Sequence, residues 1–383
     1  MGYNQDDYLK DLELLVNMDS GQGNPNGITA VGEYFARRFQ ALGWIAKLHY
    51  VGGETGLCTV VKNREAEHYD ALLVGHVDTV FPTGETTKRP FRRDETRAYG
   101  LGVLDMKQGC LAMLYALAEL PKEVFHELNI VAIFNPDEEI NSIYSAPLID
   151  EYAAKSDYAF VFEAASTDGS HTVERKGRTA YHLAFRGRAG HAGYLFDGSS
   201  LSAINELLTW ADGYRSLQSR ERGTGVNIGV IQGGVKDNIV PDYAEMRLEI
   251  RYETKEEQEK VLDMTRRLFA HAKESGVVVE TVNQLTMPAL TPTEKTLAYL
   301  GRVKTMAEGL GLPFYVKKRG GISDANHIAA CGPVCLDGLG PTGDFDHSDK
   351  EYLELSTIEP SIQLACGILC DLAKMKKEKI DEV

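Results

Sequence analysis

The chain has 383 residues, 43% of them hydrophobic and 25% charged, and its 41 Lys and Arg against 56 Asp and Glu give a formal net charge of −15. That length exceeds one ordinary core and points to two domains, while the composition is globular rather than disordered. A surface this acidic repels phosphate backbones and argues against a nucleic-acid partner.

The first residues, MGYNQDDYLKDLELLVNM, carry neither a basic leader nor a long apolar run. No later stretch reaches membrane-spanning length without charges, so a cytoplasmic protein with no membrane contact is expected. The six cysteines (Cys58, Cys110, Cys331, Cys335, Cys366 and Cys370) form no CxxC pair. Cys331 and Cys335 lack a second ligand pair at metal spacing, and a reducing compartment fits best. Cys366 and Cys370, one turn apart on an apolar helix, are expected to be small buried thiols.

Residues 5–18 and 27–42 show helical periodicity, the second ending at Gly43. Short apolar runs follow: LCTVV at 57–61, DALLVGH at 70–76, LNIVAIFN at 128–135 and YAFVFE at 158–163. Their length and flanking turn residues predict buried strands, and KQGCLAMLYALAEL at 107–120 predicts a helix between them. Strands alternating with helices predict an α/β sandwich around a mostly parallel sheet.

Near Val173 the texture changes. RTAYHLAFRGRA at 178–189 alternates like a half-exposed strand, and a helix over about 199–217 follows. Two further alternating strands, a charged helix (KEEQEKVLDMTRRLFAHAKES) and VVVETVNQL complete a β-α-β-β-α-β series, the ferredoxin-like α+β arrangement. After Pro288 and Pro292 the first texture returns with a helix at 293–309, the strand PVCLDGL and a helix at 357–378. The expected organisation is therefore a catalytic domain in two parts, 1–175 and 289–383, with an inserted domain at 176–288.

The unusual polar residues fall at strand ends. His76 closes ALLVGH, Glu138 and Glu139 follow NIVAIF and its Asn-Pro turn, Glu163 closes AFVFE, and His347 lies in the loop after PVCLDGL. Open α/β sheets bind ligands at the carboxyl edge of their strands, so these groups converge there, joined by Asp105 from the loop before a helix. Alone, GHVDT equally describes a strand-end histidine beside a capping aspartate, and DEE a solvated turn. Together they form a carboxylate cluster that divalent cations would relieve, and a mixed oxygen and imidazole shell suits Zn²⁺, Co²⁺ or Mn²⁺. Asp105 is the best-placed bridge between two ions, with a His and a Glu on each side. The adjacent Glu138 and Glu139 offer one carboxylate to metal and one to proton transfer, the needs of a metal-assisted amide hydrolase.

The stretches GHVDTVFPTG, AYGLGVLDMKQG, FNPDEEINS, FVFEAA, GRAGHAGYLFDGSSLSAINEL, GGVKDNIVPDYAEMRLEIR, GGISDANHIA and FDHSDKEYL resemble the M20 family of metallopeptidases, especially its glutamate carboxypeptidase branch. The resemblance covers nearly the whole chain. It implies a di-zinc exopeptidase fold whose insert serves as lid and dimerisation domain, with two divalent ions, zinc first and Co²⁺ or Mn²⁺ as alternatives. It assigns His76 and Glu163 to one metal, Glu139 and His347 to the other, Asp105 as bridge, Glu138 as general base and acid, and Asp78 as the residue orienting His76. A cis peptide after Asp105 is implied as well. His191 would reach a substrate carbonyl from the partner subunit. Asn238 and Arg251 would grip the substrate carboxylate, and Gly320, Gly321 and Ser323 would line the same pocket.

One stretch departs from the folate-cleaving members: Gln284-Leu285-Thr286-Met287 before Pro288 lacks the basic residue expected there, which loosens glutamate specificity. The implied activity is a carboxypeptidase acting on small peptides or N-acyl amino acids as a homodimer. An N-acyl-amino-acid deacylase of the acetylornithine or succinyl-diaminopimelate type is the alternative, with a tripeptidase-type aminopeptidase behind it. A catalytically dead scaffold is disfavoured because no ligand is missing. Nucleotide binding is disfavoured because GLGVLD and GRAGHAG are not G-x-G-x-x-G and no P-loop Lys-Ser/Thr follows.

Overall fold

The computed structural model describes residues 3–381. Helix α1 (Gln5–Asn17) starts at Asn4, whose side chain accepts the Asp7 N–H, and α2 (Pro25–Ala41) starts the same way from Asn24 with proline at its first position. Strands β1 (Ile45–Tyr50), β2 (Leu57–Lys62) and β3 (Tyr69–His76) follow. Helix α3 (Gln108–Ala118), strand β4 (Ile130–Asn135), helix α4 (Ala146–Ala153) and strand β5 (Ser156–Val161) complete this part. Every residue of β4 is buried, as in a strand covered on both faces. Helix α3 is apolar nearly all round and correspondingly buried.

The chain then enters a second compact unit, Arg175–Thr291 with Arg319–Ile322. It comprises β6 (Gly177–Arg186), α5 (Ala203–Arg215), β7 (Gly225–Gly233), β8 (Tyr243–Tyr252), α6 (Lys255–Ser275) and β9 (Val278–Met287). The sheet runs β7-β8-β6-β9 with every pairing antiparallel. Alternate residues of β8 (Ala244, Met246, Leu248, Ile250, Tyr252) are buried with Trp210 and Tyr214 of α5 and Val261 and Leu268 of α6. Their neighbours Glu245, Arg247, Glu249 and Arg251 take the other face, as a two-residue period requires. The short return at 319–322 lies outside the insert expected from sequence.

Helix α7 (Glu294–Gly309), strand β10 (Val334–Leu336) and helices α8 (Asp324–Ala330) and α9 (Ile358–Asp381) belong to the first unit. Its six-stranded sheet has the order β10-β5-β3-β4-β2-β1. The pairings β10/β5, β5/β3 and β3/β4 are parallel, and β4/β2 and β2/β1 antiparallel. The parallel block points four carboxyl ends to one edge. Phe35 of α2 stacks on Phe134 of β4 at 4.3 Å between ring centroids, locking the helix to the sheet.

Three further details differ from the sequence expectation. β1 is a half-exposed edge strand with too weak an alternation to be predicted from sequence. Glu163 lies two residues beyond β5 rather than at its end. Cys366 and Cys370 are half-buried, not buried, because they flank the buried stripe of Ile362, Ala365, Leu369 and Leu372 on α9. None of the six cysteines forms a disulfide, and no described helix is long and apolar enough to cross a membrane.

Candidate metal centre

His76 is the last residue of β3 and 1% exposed. Its Nδ1 lies 3.1 Å from the Asp78 carbonyl and 3.3 Å from Asp78 Oδ1, which directs Nε2 the other way. Nε2 stands 2.9 Å from Asp105 Oδ1 and 3.7 Å from Glu163 Oε1. The second Asp105 oxygen, Oδ2, lies 2.9 Å from His347 Nε2, which is 3.5 Å from Glu139 Oε2. Asp105 therefore stands between two imidazoles with one oxygen toward each. The Asp105–Met106 peptide is cis.

Asp78 also shapes the turn carrying the paired glutamates. Its Oδ1 accepts the Glu138 N–H at 3.2 Å and its Oδ2 the Glu139 N–H at 3.0 Å, so one buried carboxylate sets both the histidine and the turn. Val80 N–H donates to Glu139 Oε1 at 3.1 Å. Ligand atoms of His76, Glu138 and Glu163 lie within 4.8 Å of one another, as do those of His76, Asp105 and Glu139.

The electrostatics fit a cation. Burial, reinforced by the charge of Glu163, pushes the Glu138 carboxyl well up, and burial with Asp105 pushes Glu139 up to about 11. Burial raises Asp105 too, but hydrogen bonds from His347 and His76 outweigh it and hold the carboxyl below its usual range. The same contacts raise His76 against its burial, and raise His347. No lysine or arginine pairs with Glu138 or Glu139 among the described residues. Divalent ions would supply the missing positive charge, and the oxygen and imidazole donors match Zn²⁺, Co²⁺ or Mn²⁺.

Several supporting residues carry no role in the sequence reading. Glu351 is 3% exposed, and its Oε1 accepts the N–H groups of Leu104 (2.7 Å) and Asp105 (3.0 Å) while Oε2 accepts Gly102 (2.9 Å). It holds the turn that presents Asp105, and burial raises its carboxyl to about 7. Asp324 accepts from Asn135 Nδ2 (2.7 Å) and Ser142 Oγ (2.5 Å), tying α8 to the segment after β4, and His327 bridges Asp324 (3.1 Å) and Asp150 (2.5 Å). Both lie in stretches already conspicuous in sequence, FDHSDKEYL and GGISDANHIA, but their distant partners leave no local sequence signal.

The second unit holds the remaining candidates. His191 and Asn238 come together through the short pairing of Gly190–His191 with Ile239–Val240. The exposed His191 accepts the Gly193 N–H at 3.0 Å. Arg251 lies at the far end of β8, bonded to Glu249 Oε1 (2.7 Å) and the Gly320 carbonyl (3.4 Å). It borders a cavity of about 370 Å³ with Arg220, Asn227 and Glu249. The eight steps from Tyr243 to Arg251 span roughly 26 Å, and the pairing that carries His191 continues beyond the Tyr243 end. The Gly321 carbonyl accepts from Arg175 at 3.2 Å. In the first unit, the Ser323 hydroxyl is engaged with Asp337 (3.0 Å) and with capping α8 through the Ala325 N–H (3.2 Å), so its side chain serves the fold.

The chain is similar to carboxypeptidase G2 of Pseudomonas sp. (strain RS-16), 28% identical over 376 residues, or 96% of this chain and 90% of that one. It is 31% identical over 255 residues to N-acetyl-L-citrulline deacetylase of Xanthomonas campestris pv. campestris, covering 63% of this chain and 66% of the relative. Among solved structures, aminopeptidase PepT from Bacillus cereus matches with a TM-score of 0.74 at 21% identity over 97% of this chain and 99% of that one. A dinuclear metal-binding M20 peptidase from Bacillus subtilis matches at 0.64 and 15% identity over 96% and 98%. Residues 72–371 fit the model of peptidase family M20/M25/M40, and the protein belongs to that family.

Proposed function

We propose that this chain is a two-metal hydrolase of carboxypeptidase type, cutting the amide bond beside a C-terminal residue with a free carboxylate in small peptides or N-acyl amino acids. The observation that carries the reading is Asp105, with Oδ1 at 2.9 Å from His76 and Oδ2 at 2.9 Å from His347. His76 and Glu163 would hold one ion, His347 and Glu139 the other, with zinc the first choice and Co²⁺ or Mn²⁺ the alternatives.

Bound there, the ions supply a water acidic enough to ionise near neutral pH and polarise the scissile carbonyl. Glu138 takes the proton of that water and returns it to the departing nitrogen. Asp78 keeps His76 in the tautomer that leaves Nε2 toward Asp105, and Glu351 keeps the Asp105 turn in place. Arg251 is a planar donor for the substrate carboxylate. His191 and Asn238, at a separate short pairing beyond the Tyr243 end of β8, would act on a substrate held by a second copy, so a homodimer through the inserted unit belongs to this reading. The similarity to carboxypeptidase G2 over 96% of the chain favours the carboxypeptidase form. The 31% identity to an N-acetyl-L-citrulline deacetylase keeps an N-acyl-amino-acid deacylase as the second reading.

A hydrolysis panel separates the two: C-terminal glutamate conjugates, neutral dipeptides, N-acetyl amino acids and N-succinyl substrates at equal concentration, each with added Zn²⁺, Co²⁺ or Mn²⁺. Preferential release of a C-terminal residue from peptides is expected. Turnover of only the acetylated or succinylated compounds would replace this reading with the deacylase.

A further inference from the structure

Asp346 stands beside His347 and has no task in the reaction above. Ligand atoms of Asp346, Asp105 and His347 lie within 4.8 Å of one another. Residues adjacent in an extended chain point to opposite sides, yet here two neighbours converge. The backbone explains how: Phe345 and His347 both adopt left-handed conformations, φ 61° and 60°, which non-glycine residues rarely take. The Asp346 carboxylate makes no hydrogen bond or ion pair among the described residues. A second carboxylate approaches His347. Glu139 has a side chain only 4% exposed, its Oε1 is occupied by Val80, and its Oε2 makes no hydrogen bond and lies 3.5 Å from His347 Nε2. Asp346 thus shares a cluster with Asp105 and His347, and Glu139 approaches the same His347.

We propose that Asp346 is an additional protein ligand of the second metal position, giving it three carboxylates and one imidazole, and that its carboxylate strengthens binding of an oxygen-seeking ion such as Mn²⁺ there more than binding of Zn²⁺. The first position, with His76, Asp105 and Glu163, has one carboxylate fewer. Oxygen donors suit Mn²⁺ whereas imidazole suits zinc, so the added carboxylate favours Mn²⁺ more. This inference rests on the two-metal reading.

The test is metal binding by the full chain, measured by titration calorimetry and by metal analysis after equilibrium dialysis, separately with Mn²⁺ and Zn²⁺. The wild type is compared with Asp346→Asn and with Asp349→Asn, a control that removes an exposed acid from the same loop. Circular dichroism and Tm confirm that each variant is folded. Two ions should bind the wild type. Asp346→Asn should weaken the second Mn²⁺ at least tenfold, weaken Zn²⁺ less, and leave the first ion unchanged, while Asp349→Asn changes neither. A second-ion Kd for Mn²⁺ within twofold of wild type, an equal loss of both metals, or an equal effect of Asp349→Asn overturns the assignment of Asp346 alone. Fewer than two ions in the wild type overturns the two-metal reading and this assignment with it.

Discussion

Adjacent carboxylates acquire different tasks here through the backbone around them. Glu139 is pinned by the Val80 N–H and faces His347, whereas Glu138 shares its surroundings with His76 and Glu163. Glu138→Gln should therefore keep its metal content while kcat falls by about 10²–10⁴. Metal analysis beside steady-state kinetics checks this, and near-normal turnover would remove Glu138 from proton transfer. Asp78→Asn should behave differently, because Asp78 touches His76 and both glutamate N–H groups at once. Metal affinity should drop about 10–100-fold together with kcat, and competition with a chelator of known affinity measures the first effect. The ligand types were legible in sequence because a histidine or carboxylate closing an apolar strand is anomalous. Glu351 was not, because its partners are the main-chain N–H groups of Gly102, Leu104 and Asp105, whose side chains say nothing about the contact.

At the scale of elements, the centre depends on how closely α3 approaches the end of β5. A Cβ on Gly109 would lie 2.0 Å from the Phe162 carbonyl oxygen, immediately before Glu163. Gly109→Ala must push helix and strand end apart, so stability should fall by about 1–3 kcal/mol with weakened metal binding. Urea denaturation and metal titration report the two effects, and an unchanged midpoint would show that the contact gives way freely. Helix α8 offers a pH test. Burial lowers the His327 pKa, but hydrogen bonds to Asp150 and Asp324 outweigh it and raise it to about 9. A proton bound more tightly in the folded state stabilises fully below the unfolded value near 6.5, and that contribution disappears as pH rises through about 9. It is on the order of 3 kcal/mol. The wild-type Tm should carry a decline between pH 6.5 and 9 that His327→Gln lacks, and parallel profiles would contradict it. The parallel strands were readable because burial on both faces leaves uninterrupted apolar runs, as in IVAIFN of β4. The hairpin that carries His347 was not. Its strands Gly343–Asp344 and Tyr352–Glu354 pair onward to Arg97–Tyr99, some 250 residues earlier, and such distant pairing leaves no local periodicity.

For the whole molecule, assembly turns on one edge. Strand β7 pairs with β8 alone, and its nine residues, GVNIGVIQG, contain no charge and no proline. Edge strands of proteins that stay apart normally carry such residues, because unpaired N–H and C=O groups otherwise recruit another strand. Exposed Ile231 (51%) and the nearby Val235 (84%) add apolar surface beside that edge. Antiparallel pairing of β7 with its own copy would satisfy the edge in a closed two-fold dimer. The sheet geometry gives such a dimer a purpose, since the Tyr243 end of β8, beyond which His191 and Asn238 lie, is roughly 26 Å from Arg251 and two chains could divide the work. Ile231→Lys places a charge on the edge without touching a proposed ligand or substrate contact. Light scattering should find the wild type dimeric and the variant monomeric at the same concentration. Metal content should be unchanged, because His76, Asp105, Glu138, Glu139, Glu163 and His347 all belong to the first unit, whereas kcat should fall by two orders of magnitude or more. A monomer with full activity would show that one chain suffices and that His191 has no partner's substrate to reach.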